Sequence, residues 1–159
     1  MDKIIEIIKE DSRATPKDIA VMLGMTEEEV VNKIKKLEDD NIILKYTAII
    51  NEEKWDSETV RAFIEVKVTP EREKGFDSIA ERIYKFPQVI SLYLMSGGFD
   101  FLVVVEGQSL KEVAMFVSEK LSTLECVVST STHFLLKKYK EKGVIMNGEE
   151  EDKRMSVSP

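Results

Sequence analysis

The sequence predicts an α+β protein built from two domains, because its two halves carry different hydrophobic periodicities. The first half repeats apolar residues at helical spacing and contains clear helix-start signals. The second half alternates strand-like and helix-like segments in the order βαββαβ. A chain of 159 residues suffices for one domain or two small ones, and 43% apolar with 33% charged residues excludes a disordered or fibrous protein.

Three short helices are predicted in the N-terminal half. Residues 2–10 place four isoleucines on one helical stripe. A second helix begins at Thr15, which has N-cap chemistry, and ends before Gly24, a residue that accepts the positive φ common after a helix. A third helix begins at Thr26, which forms a capping-box pattern with Glu29.

The second and third predicted helices are separated by a three-residue turn, which is the spacing of a helix-turn-helix. The third helix is expected to end near Asp39, and residues 42–51 are expected to be extended as a short wing. We therefore predict a winged helix-turn-helix DNA-binding domain over residues 1–50, followed by a linker over residues 51–59. Its predicted core consists of the apolar residues Ile4, Ile8, Ile19, Leu23, Val30, Ile34 and Leu37.

The second half predicts a ferredoxin-like βαββαβ domain over residues 60–140. Two helices would cover one face of its antiparallel sheet, and the apolar side chains of the other face are expected to pair with another subunit. The predicted elements are a strand at residues 60–68, a helix at 76–86, a hairpin with strands at 89–95 and 101–105, a helix at 110–124 and a strand at 126–139.

Composition limits the classes of protein to which the chain can belong. No apolar run approaches the ~20 residues of a membrane helix, and the N-terminus lacks a signal-peptide pattern, so a cytoplasmic protein without membrane contact is expected. Cys126 is the only cysteine, which excludes an intramolecular disulfide and a cysteine-rich zinc site. The run Glu149-Glu150-Glu151-Asp152 predicts an acidic, disordered tail over residues 141–159.

Charge is the main argument against tight DNA binding. The chain has a formal net charge of −7, and residues 1–50 hold eight Lys/Arg against eleven Asp/Glu, a net −3. In a helix-turn-helix the second helix enters the major groove, where Asn pairs with adenine and Lys with guanine or phosphate. A three-helix bundle with charged faces and no DNA contact is the alternative. The residues predicted to contact double-stranded DNA are Arg13, Thr26, Glu28, Asn32, Lys33, Lys35, Lys36 and Lys45.

The turn Gly97-Gly98-Phe99-Asp100 is the best candidate for a small-molecule site. Adjacent glycines expose backbone N–H groups that can hold a carboxylate, and Asp100 can accept hydrogen bonds from an ammonium group. Such a pair of sites suits a free amino acid. An ordinary hairpin turn, in which Asp100 accepts from its own backbone, explains the same residues equally well.

No constellation of residues predicts an enzyme, a cofactor or a metal site. His133 is the only histidine, and on a regular strand it points away from Cys126, which lies seven residues earlier. Zinc needs a cluster of histidine or cysteine ligands that this chain lacks. The adjacent glycines at 97 and 98 do not belong to a nucleotide-binding glycine motif.

A set of short motifs occurs in order along residues 2–140, each weak alone but specific in combination. They are Asp11-Ser12-Arg13, Ile19-Ala20, Gly24, Val30, Ile34, Leu37-Glu38, Asn41-Ile42-Ile43, Ser96-Gly97-Gly98-Phe99-Asp100, and the segment from Val128 to Leu136 with Thr130 and Thr132. In this arrangement the sequence resembles the Lrp/AsnC family of bacterial and archaeal transcription regulators.

The resemblance implies an N-terminal winged helix-turn-helix and a C-terminal effector domain. It also implies homodimers that can assemble into octamers, and small effectors, usually amino acids, bound between effector domains near the Gly-x-Phe/Tyr-Asp turn. Carried over to this sequence, the expected effector-binding residues are Leu94, Gly97, Gly98, Phe99 and Asp100, with Thr130 and Thr132 from the last strand.

The sequence departs from the family pattern in two places. The segment Thr26-Glu27-Glu28-Glu29 is more acidic than the start of a typical recognition helix in the family, which predicts weak or narrowly specific DNA binding. Asn41 stands where a glycine is usual, and because Asn tolerates a left-handed backbone the turn is expected to form.

The sequence thus predicts a non-enzymatic, sequence-specific transcriptional regulator whose assembly or DNA affinity responds to a small effector. One alternative is an amino-acid sensor or assembly partner that does not bind DNA, which the acidic start of the third helix favours. Another is a tetrapyrrole decarboxylase, because some enzymes of haem biosynthesis resemble the same two-domain architecture; there His133 would contribute to the cleft.

Overall fold

The structure, a computed structural model, describes residues 2–55, 58–70 and 75–146. The chain divides between Ile50 and Asn51 into two compact units. Within the described ranges, none of the helices has both the length and the apolar character needed to cross a bilayer.

The first unit consists of three helices, α1 (Lys3–Glu10), α2 (Pro16–Leu23) and α3 (Glu27–Asp39). The predicted N-cap at Thr15 and capping box at Thr26 are confirmed: Thr15 forms a capping box with Asp18 at the start of α2, and Thr26 forms one with Glu29 at the start of α3. Gly24 follows α2 with φ of 66°, as a left-handed C-cap requires. These local signals set the tight α2–α3 turn of a helix-turn-helix.

The predicted core of the first unit is confirmed. Ile4, Ile19, Val30 and Leu37 are buried, and Ile8, Leu23 and Ile34 pack against them. Burying four such side chains contributes on the order of 1.5–3 kcal/mol each before chain entropy is counted. The packing fixes which face of α3 points inward and therefore which face remains for a partner.

The segment after α3 differs in part from the prediction. Asn41 adopts a left-handed φ of 56°, which confirms that asparagine replaces the expected glycine. The chain then continues without strand pairing, since no β-strand is assigned to residues 42–51. The Tyr46 hydroxyl donates a hydrogen bond to Glu38 Oε1 (2.8 Å), and this contact ties the segment to α3.

The second unit contains the predicted βαββαβ order. Its elements are β1 (Val60–Val68), α4 (Asp77–Tyr84), β2 (Val89–Leu94), β3 (Phe101–Gly107), α5 (Leu110–Phe116), a π-helical turn (Val117–Leu121) that continues α5, and β4 (Val127–Phe134). The sheet order is β2-β3-β1-β4, and every neighbouring pair is antiparallel. This is the ferredoxin-like arrangement that the sequence predicted.

One face of the sheet forms the main core. Residues at alternate positions of β1 and β3, such as Ile64, Val66 and Val103, are buried together with Ile79 of α4 and Val113 of α5. The opposite face of these strands carries the intervening residues. The helices therefore cover only one side of the sheet, as predicted.

The C-terminal boundary predicted for the second domain is wrong. Residues 141–146 were assigned to a disordered tail, but Lys140–Glu141 (β5) and Val144–Ile145 (β6) form a short hairpin. Backbone bonds between the strands and a bond from Asn51 Nδ2 to the Met146 carbonyl (2.8 Å) order this segment. The rest of the predicted tail, residues 147–159, lies outside the described residues.

The predicted linker over residues 51–59 also makes contacts with the second unit. Lys54 and Trp55 close a turn onto the Asn51 carbonyl, and Glu52 forms ion pairs with Arg61 and Lys138. Asp56 and Ser57 lie outside the described residues. The first part of this segment is therefore held against the second unit.

Candidate DNA interface and effector site

The exposed face of α3 is the candidate DNA interface. Since successive residues of an α-helix are about 100° apart, burial of Val30 and Leu37 fixes the direction of every other side chain. Glu28, Asn32 and Lys35 then form an outward stripe at positions i, i+4 and i+7, and all three are exposed.

The remaining lysines of α3 flank this stripe. Lys36 is exposed beside it, whereas Lys33 lies near the edge of the buried face. Lys33 stands one turn after Glu29, and its positive charge is one of the factors that lower the pKa of the Glu29 carboxyl. Lys33 is therefore placed to contact phosphate from the side of the helix rather than bases from its front.

Thr26, a predicted DNA contact, is mainly a capping residue. Its Oγ1 accepts from the Glu29 backbone N–H (3.2 Å) and donates to Glu29 Oε2 (3.0 Å). The Glu29 carboxylate also accepts from the Thr26 backbone N–H (2.9 Å). These hydrogen bonds lower the pKa of Glu29, so its charge stabilises the start of the helix.

Arg13 and Lys45 lie at opposite ends of the motif. Arg13 is exposed in the α1–α2 turn, where its backbone N–H donates to Asp11 Oδ1 (2.9 Å). Lys45 is exposed in the segment after α3, next to the Tyr46 that contacts Glu38. Arg13 precedes α2 and Lys45 follows α3. Long basic side chains of this kind commonly contact the phosphate backbone.

The candidate effector site is the turn between β2 and β3. Asp100 is partly buried, and its carboxylate Oδ2 accepts a hydrogen bond from the Val68 backbone N–H (2.9 Å). The Asp100 N–H donates to the Val66 carbonyl (3.0 Å), and its own carbonyl accepts from the Met95 N–H. The carboxylate thus binds the neighbouring strand β1 and not the backbone of its own turn, a contact that the local sequence does not predict.

The backbone conformation requires glycine at position 97 of this turn but not at position 98. Gly97 has φ of 138°, a conformation that L-residues rarely adopt. Gly98 has no such φ, and a Cβ added to it would meet no atom within 4 Å. Neither the backbone conformation nor packing within the described residues explains the glycine at position 98.

A cavity of about 430 Å³ lies beside the turn, between α4 and the edge strand β2. Leu94 and Phe101, the residues at the two strand ends that flank the turn, both line it. Its other walls include the apolar residues Phe76 and Ala80 and the polar residues Asp77, Tyr84 and Ser91. The cavity combines apolar walls with a few polar groups, as small-molecule sites commonly do.

Thr130 and Thr132 are separated from the turn. In the sheet register Thr130 lies opposite Val66 of β1, and Val66 lies opposite Phe101 of β3. Two strand spacings therefore separate Thr130 from Phe101, which is roughly 10 Å. The Thr130 hydroxyl is 3.3 Å from Ser122 Oγ. Thr132 pairs with Ile64 and lies further along the strand. A single free amino acid at the turn does not reach both threonines in one chain.

Cys126 and His133 lie in different environments. Cys126 is buried in the core, while the side chain of His133 is 56% exposed, with Nε2 3.4 Å from Glu65 Oε1. His133 does not line the cavity beside the turn. Among the described residues, no group of three or more His, Cys, Asp or Glu side chains is placed to hold a metal ion.

An ionic cluster at the start of the second unit was not predicted. Glu52 Oε1 is 3.0 Å from Arg61 Nη2, and Glu52 Oε2 is 3.3 Å from Lys138 Nζ. Arg61 also binds Glu106 on β3 through Nε (2.7 Å) and Nη2. Burial alone would lower the pKa of the Arg61 guanidinium, but Glu106 and Glu52 outweigh that effect and raise it. We call these four residues the ionic clasp.

Two family models match the chain at these two units. Residues 3–43 match a winged helix-turn-helix DNA-binding domain. Residues 61–145 match the Lrp/AsnC ligand binding domain. The chain belongs to the Lrp/AsnC family of transcriptional regulators. The resemblance inferred from its motifs is therefore confirmed.

Individual relatives support the same assignment. The uncharacterized HTH-type transcriptional regulator YugG of Bacillus subtilis is 52% identical over 158 residues, which cover 99% of this chain and 95% of the relative. A proline dehydrogenase transcriptional activator of Rhizobium radiobacter is 29% identical, covering 89% of this chain and 90% of the relative. Both matches extend over the two units of the chain.

A solved structure shows the same fold. The crystal structure of the Neisseria meningitidis transcriptional regulator NMB0573 in complex with L-methionine has a TM-score of 0.71 to this chain. The two sequences are 23% identical, and the match covers 91% of this chain and 94% of the other. The two chains therefore share a fold.

Proposed function

We propose that this Lrp/AsnC protein binds an operator through α3 and binds an amino acid at the Gly97–Asp100 turn, and that the amino acid changes its DNA affinity or assembly. One observation carries the proposal: a single chain combines an exposed polar α3 stripe with a turn whose Gly98 is not explained by its own fold. Effector control requires that the amino acid bind one functional state more tightly than the other.

The DNA-binding part rests on the outward stripe of α3 and on lysines beside it. Asn32 is placed to pair with adenine, and Lys35 with guanine or phosphate. Arg13 and Lys45 supply further phosphate contacts. The test is a titration on DNA from the protein's own promoter at stated salt, with and without amino acids. Absence of a specific complex at low salt in either condition would contradict DNA-binding regulation.

The effector part rests on groups at the turn that match the two charged ends of a free amino acid. The N–H groups of Gly97 and Gly98 suit the carboxylate of an amino acid, and the second oxygen of Asp100 suits its ammonium. The adjacent apolar cavity of about 430 Å³ suits an apolar side chain. The Neisseria neighbour was crystallised with L-methionine, which supports an apolar amino acid as the first ligand to examine.

A thermal-shift screen against the common amino acids tests this part, because a ligand that binds only the folded state raises the unfolding midpoint by mass action. Gly98→Ala is the discriminating variant: its own midpoint should stay unchanged because the added methyl meets no atom within 4 Å. Its ligand-induced shift should be lost. An unchanged shift would exclude close approach of the ligand at Gly98.

The assembly part rests on the sheet face that the helices leave uncovered. Tyr93 and His133 lie on that face and are exposed. We propose that this face pairs two subunits into a homodimer, which can assemble further into an octamer. Native mass measurement over a range of concentrations checks this, and a monomer at all concentrations would contradict it.

A second candidate, an amino-acid sensor that does not bind DNA, is favoured by Glu28 on the outward face and by the net charge of −3 over residues 1–50. A triple variant in which Lys33, Lys35 and Lys36 become Gln separates the two. If these lysines contact phosphates, DNA affinity should collapse while the amino-acid thermal shift persists. An amino-acid thermal shift in both proteins, with no specific DNA binding by either the unchanged chain or the variant, would favour the sensor.

A further inference from the structure

Glu28 is an exposed acidic side chain in the first turn of α3 that points directly away from the buried face of the helix. Glu29 is held by Thr26, and Glu27 lies about 100° away around the helix, toward its flank. Glu28 is exposed on the same line as Asn32, and within the described ranges its carboxylate makes no hydrogen bond or ion pair. Its charge favours the start of the helix, and its carboxylate remains available to a partner that contacts the outward stripe.

A carboxylate on this surface restricts the DNA that can be bound. Near the phosphate backbone it is repelled, and in the groove it needs a hydrogen-bond donor. Guanine offers two acceptors in the major groove, and thymine offers an acceptor and a methyl group. Adenine has an amino donor, but its N7 acceptor lies beside it and repels a carboxylate. Cytosine presents its N4 amino group as a donor without that neighbouring acceptor.

We propose that Glu28 is a specificity-determining residue that accepts a hydrogen bond from a cytosine amino group in the operator. This rests on the proposed function, in which α3 enters the major groove. Glu28 and Asn32 are four residues apart, about 6 Å along the helix, a distance that spans at most about two base steps. The cytosine is therefore expected within about two base pairs of the adenine proposed for Asn32.

The same carboxylate acts against wrong partners. On a site without the cytosine it remains unpaired and close to acceptor atoms, which is costly in a desolvated interface. Glu28 therefore lowers binding to non-cognate DNA more than binding to the operator. An acidic recognition helix is then a device for specificity and not a sign that DNA binding is absent.

The experiment is selection of bound duplexes from a library with a randomised core of about two helical turns, ~21 base pairs, using the full chain at low and moderate salt. Four proteins are compared: the unchanged chain, Glu28→Ala, Glu28→Gln and the control Glu27→Gln. The two Gln variants remove the same charge from neighbouring exposed residues, so general electrostatics change equally. Matched thermal unfolding midpoints confirm that all four are folded.

The unchanged chain should enrich a site with one strongly preferred cytosine in each half. Glu28→Ala should lose the preference at that position only, and Glu28→Gln should accept adenine there. On the selected site, replacing this cytosine should weaken binding by the unchanged chain about tenfold and leave binding by Glu28→Ala nearly unaltered. Glu27→Gln should retain the cytosine preference.

Two results overturn the inference and are distinguishable. If the unchanged chain selects a site but Glu28→Ala and Glu28→Gln select the same one, Glu28 does not read a base, and the proposed function stands. If the unchanged chain enriches no sequence even at low salt, the proposed function fails together with the Glu28 assignment.

Discussion

The Asp100 carboxylate has one oxygen in a structural hydrogen bond and a second oxygen that is a candidate ligand contact. Oδ2 accepts from the Val68 N–H and so fastens the β2–β3 turn to β1, while the other oxygen faces no hydrogen-bond partner among the described residues. An alanine substitution would remove both contacts together. The pair Asp100→Asn and Asp100→Ala separates them, because an amide oxygen still accepts from Val68 but carries no charge.

We expect Asp100→Asn to unfold at nearly the midpoint of the unchanged chain and to bind its amino acid at least about tenfold more weakly, since a hydrogen bond to a charged group contributes roughly 1.5–3 kcal/mol. Asp100→Ala should lose both ligand affinity and stability. Calorimetric titration and thermal unfolding measure the two quantities. Equal ligand affinity in Asp100→Asn and the unchanged chain would show that the ammonium group does not bind to Asp100.

Local chemistry explains how much could be predicted at individual residues. The caps at Thr15 and Thr26 and the left-handed positions at Gly24 and Asn41 depend on neighbours within four residues, so the sequence contains the signal. The bond from Val68 to Asp100 joins positions 32 apart in sequence. Nothing local specifies such a contact, because it exists only after β1 and β3 pair.

At the scale of elements, the start of α3 depends on an ionised Glu29. Its bonds to the Thr26 backbone and hydroxyl lower the pKa of the carboxyl, and the corresponding bonds to Thr15 lower the pKa of Asp18 at α2. A carboxyl with a lowered pKa in the folded state contributes stability above its unfolded pKa. That contribution is lost as the pH falls through the folded value.

The helix-turn-helix unit should therefore lose stability as the pH falls below about 4.5, the ordinary range for glutamate. Glu29→Gln should show a lower midpoint at neutral pH and a flatter decline on acidification, because the amide does not titrate. Thermal unfolding from pH 7 to pH 3, followed by circular dichroism at helix wavelengths, measures this. Glu27→Gln is the control, and an identical pH profile in Glu29→Gln and Glu27→Gln would refute the capping role.

Element boundaries were less predictable than element types. The sequence predicts a regular helix over residues 110–124, yet α5 ends at Phe116 and a π-helical turn follows. In that turn the Ser122 N–H bonds to the Val117 carbonyl (2.8 Å), while Val117 and Leu121 are both buried. Packing of those two side chains on the sheet is a tertiary effect, so helical periodicity alone does not mark the change.

At the scale of the whole molecule, a net charge of −7 limits the number of phosphates that the protein can neutralise. DNA affinity should depend on a few local cations, so the slope of log K against log salt should be shallow. Lys35→Gln should weaken binding to all sequences and reduce that slope by about 1, while Lys9→Gln on α1 should change neither. Fluorescence titrations at several salt concentrations measure the slopes. An equal effect of both substitutions would indicate that DNA binding does not use the exposed face of α3.

We predict that the ionic clasp couples the two functions of the chain. The boundary between the units lies at Ile50–Asn51, and Glu52, directly after it, is held by Arg61 of β1 and by Lys138. Arg61 also binds Glu106 of β3, the strand that begins next to the candidate effector turn. A shift of β3 relative to β1 would therefore reach the residues that connect to the DNA-binding unit. Coupling of this kind is measured as the ratio of DNA affinities with and without effector.

We expect Glu52→Gln to keep its amino-acid thermal shift and its DNA affinity without effector. The ratio of its DNA affinities with and without effector should be closer to one. The amide retains the size of the side chain and loses the charge that holds Arg61 and Lys138 together. Glu53→Gln, an exposed neighbour, is the matched control and should keep the full ratio. Paired DNA titrations at fixed salt, with and without saturating amino acid, decide the matter. If Glu52→Gln retains the full ratio, the signal between the units travels by a route that bypasses the clasp.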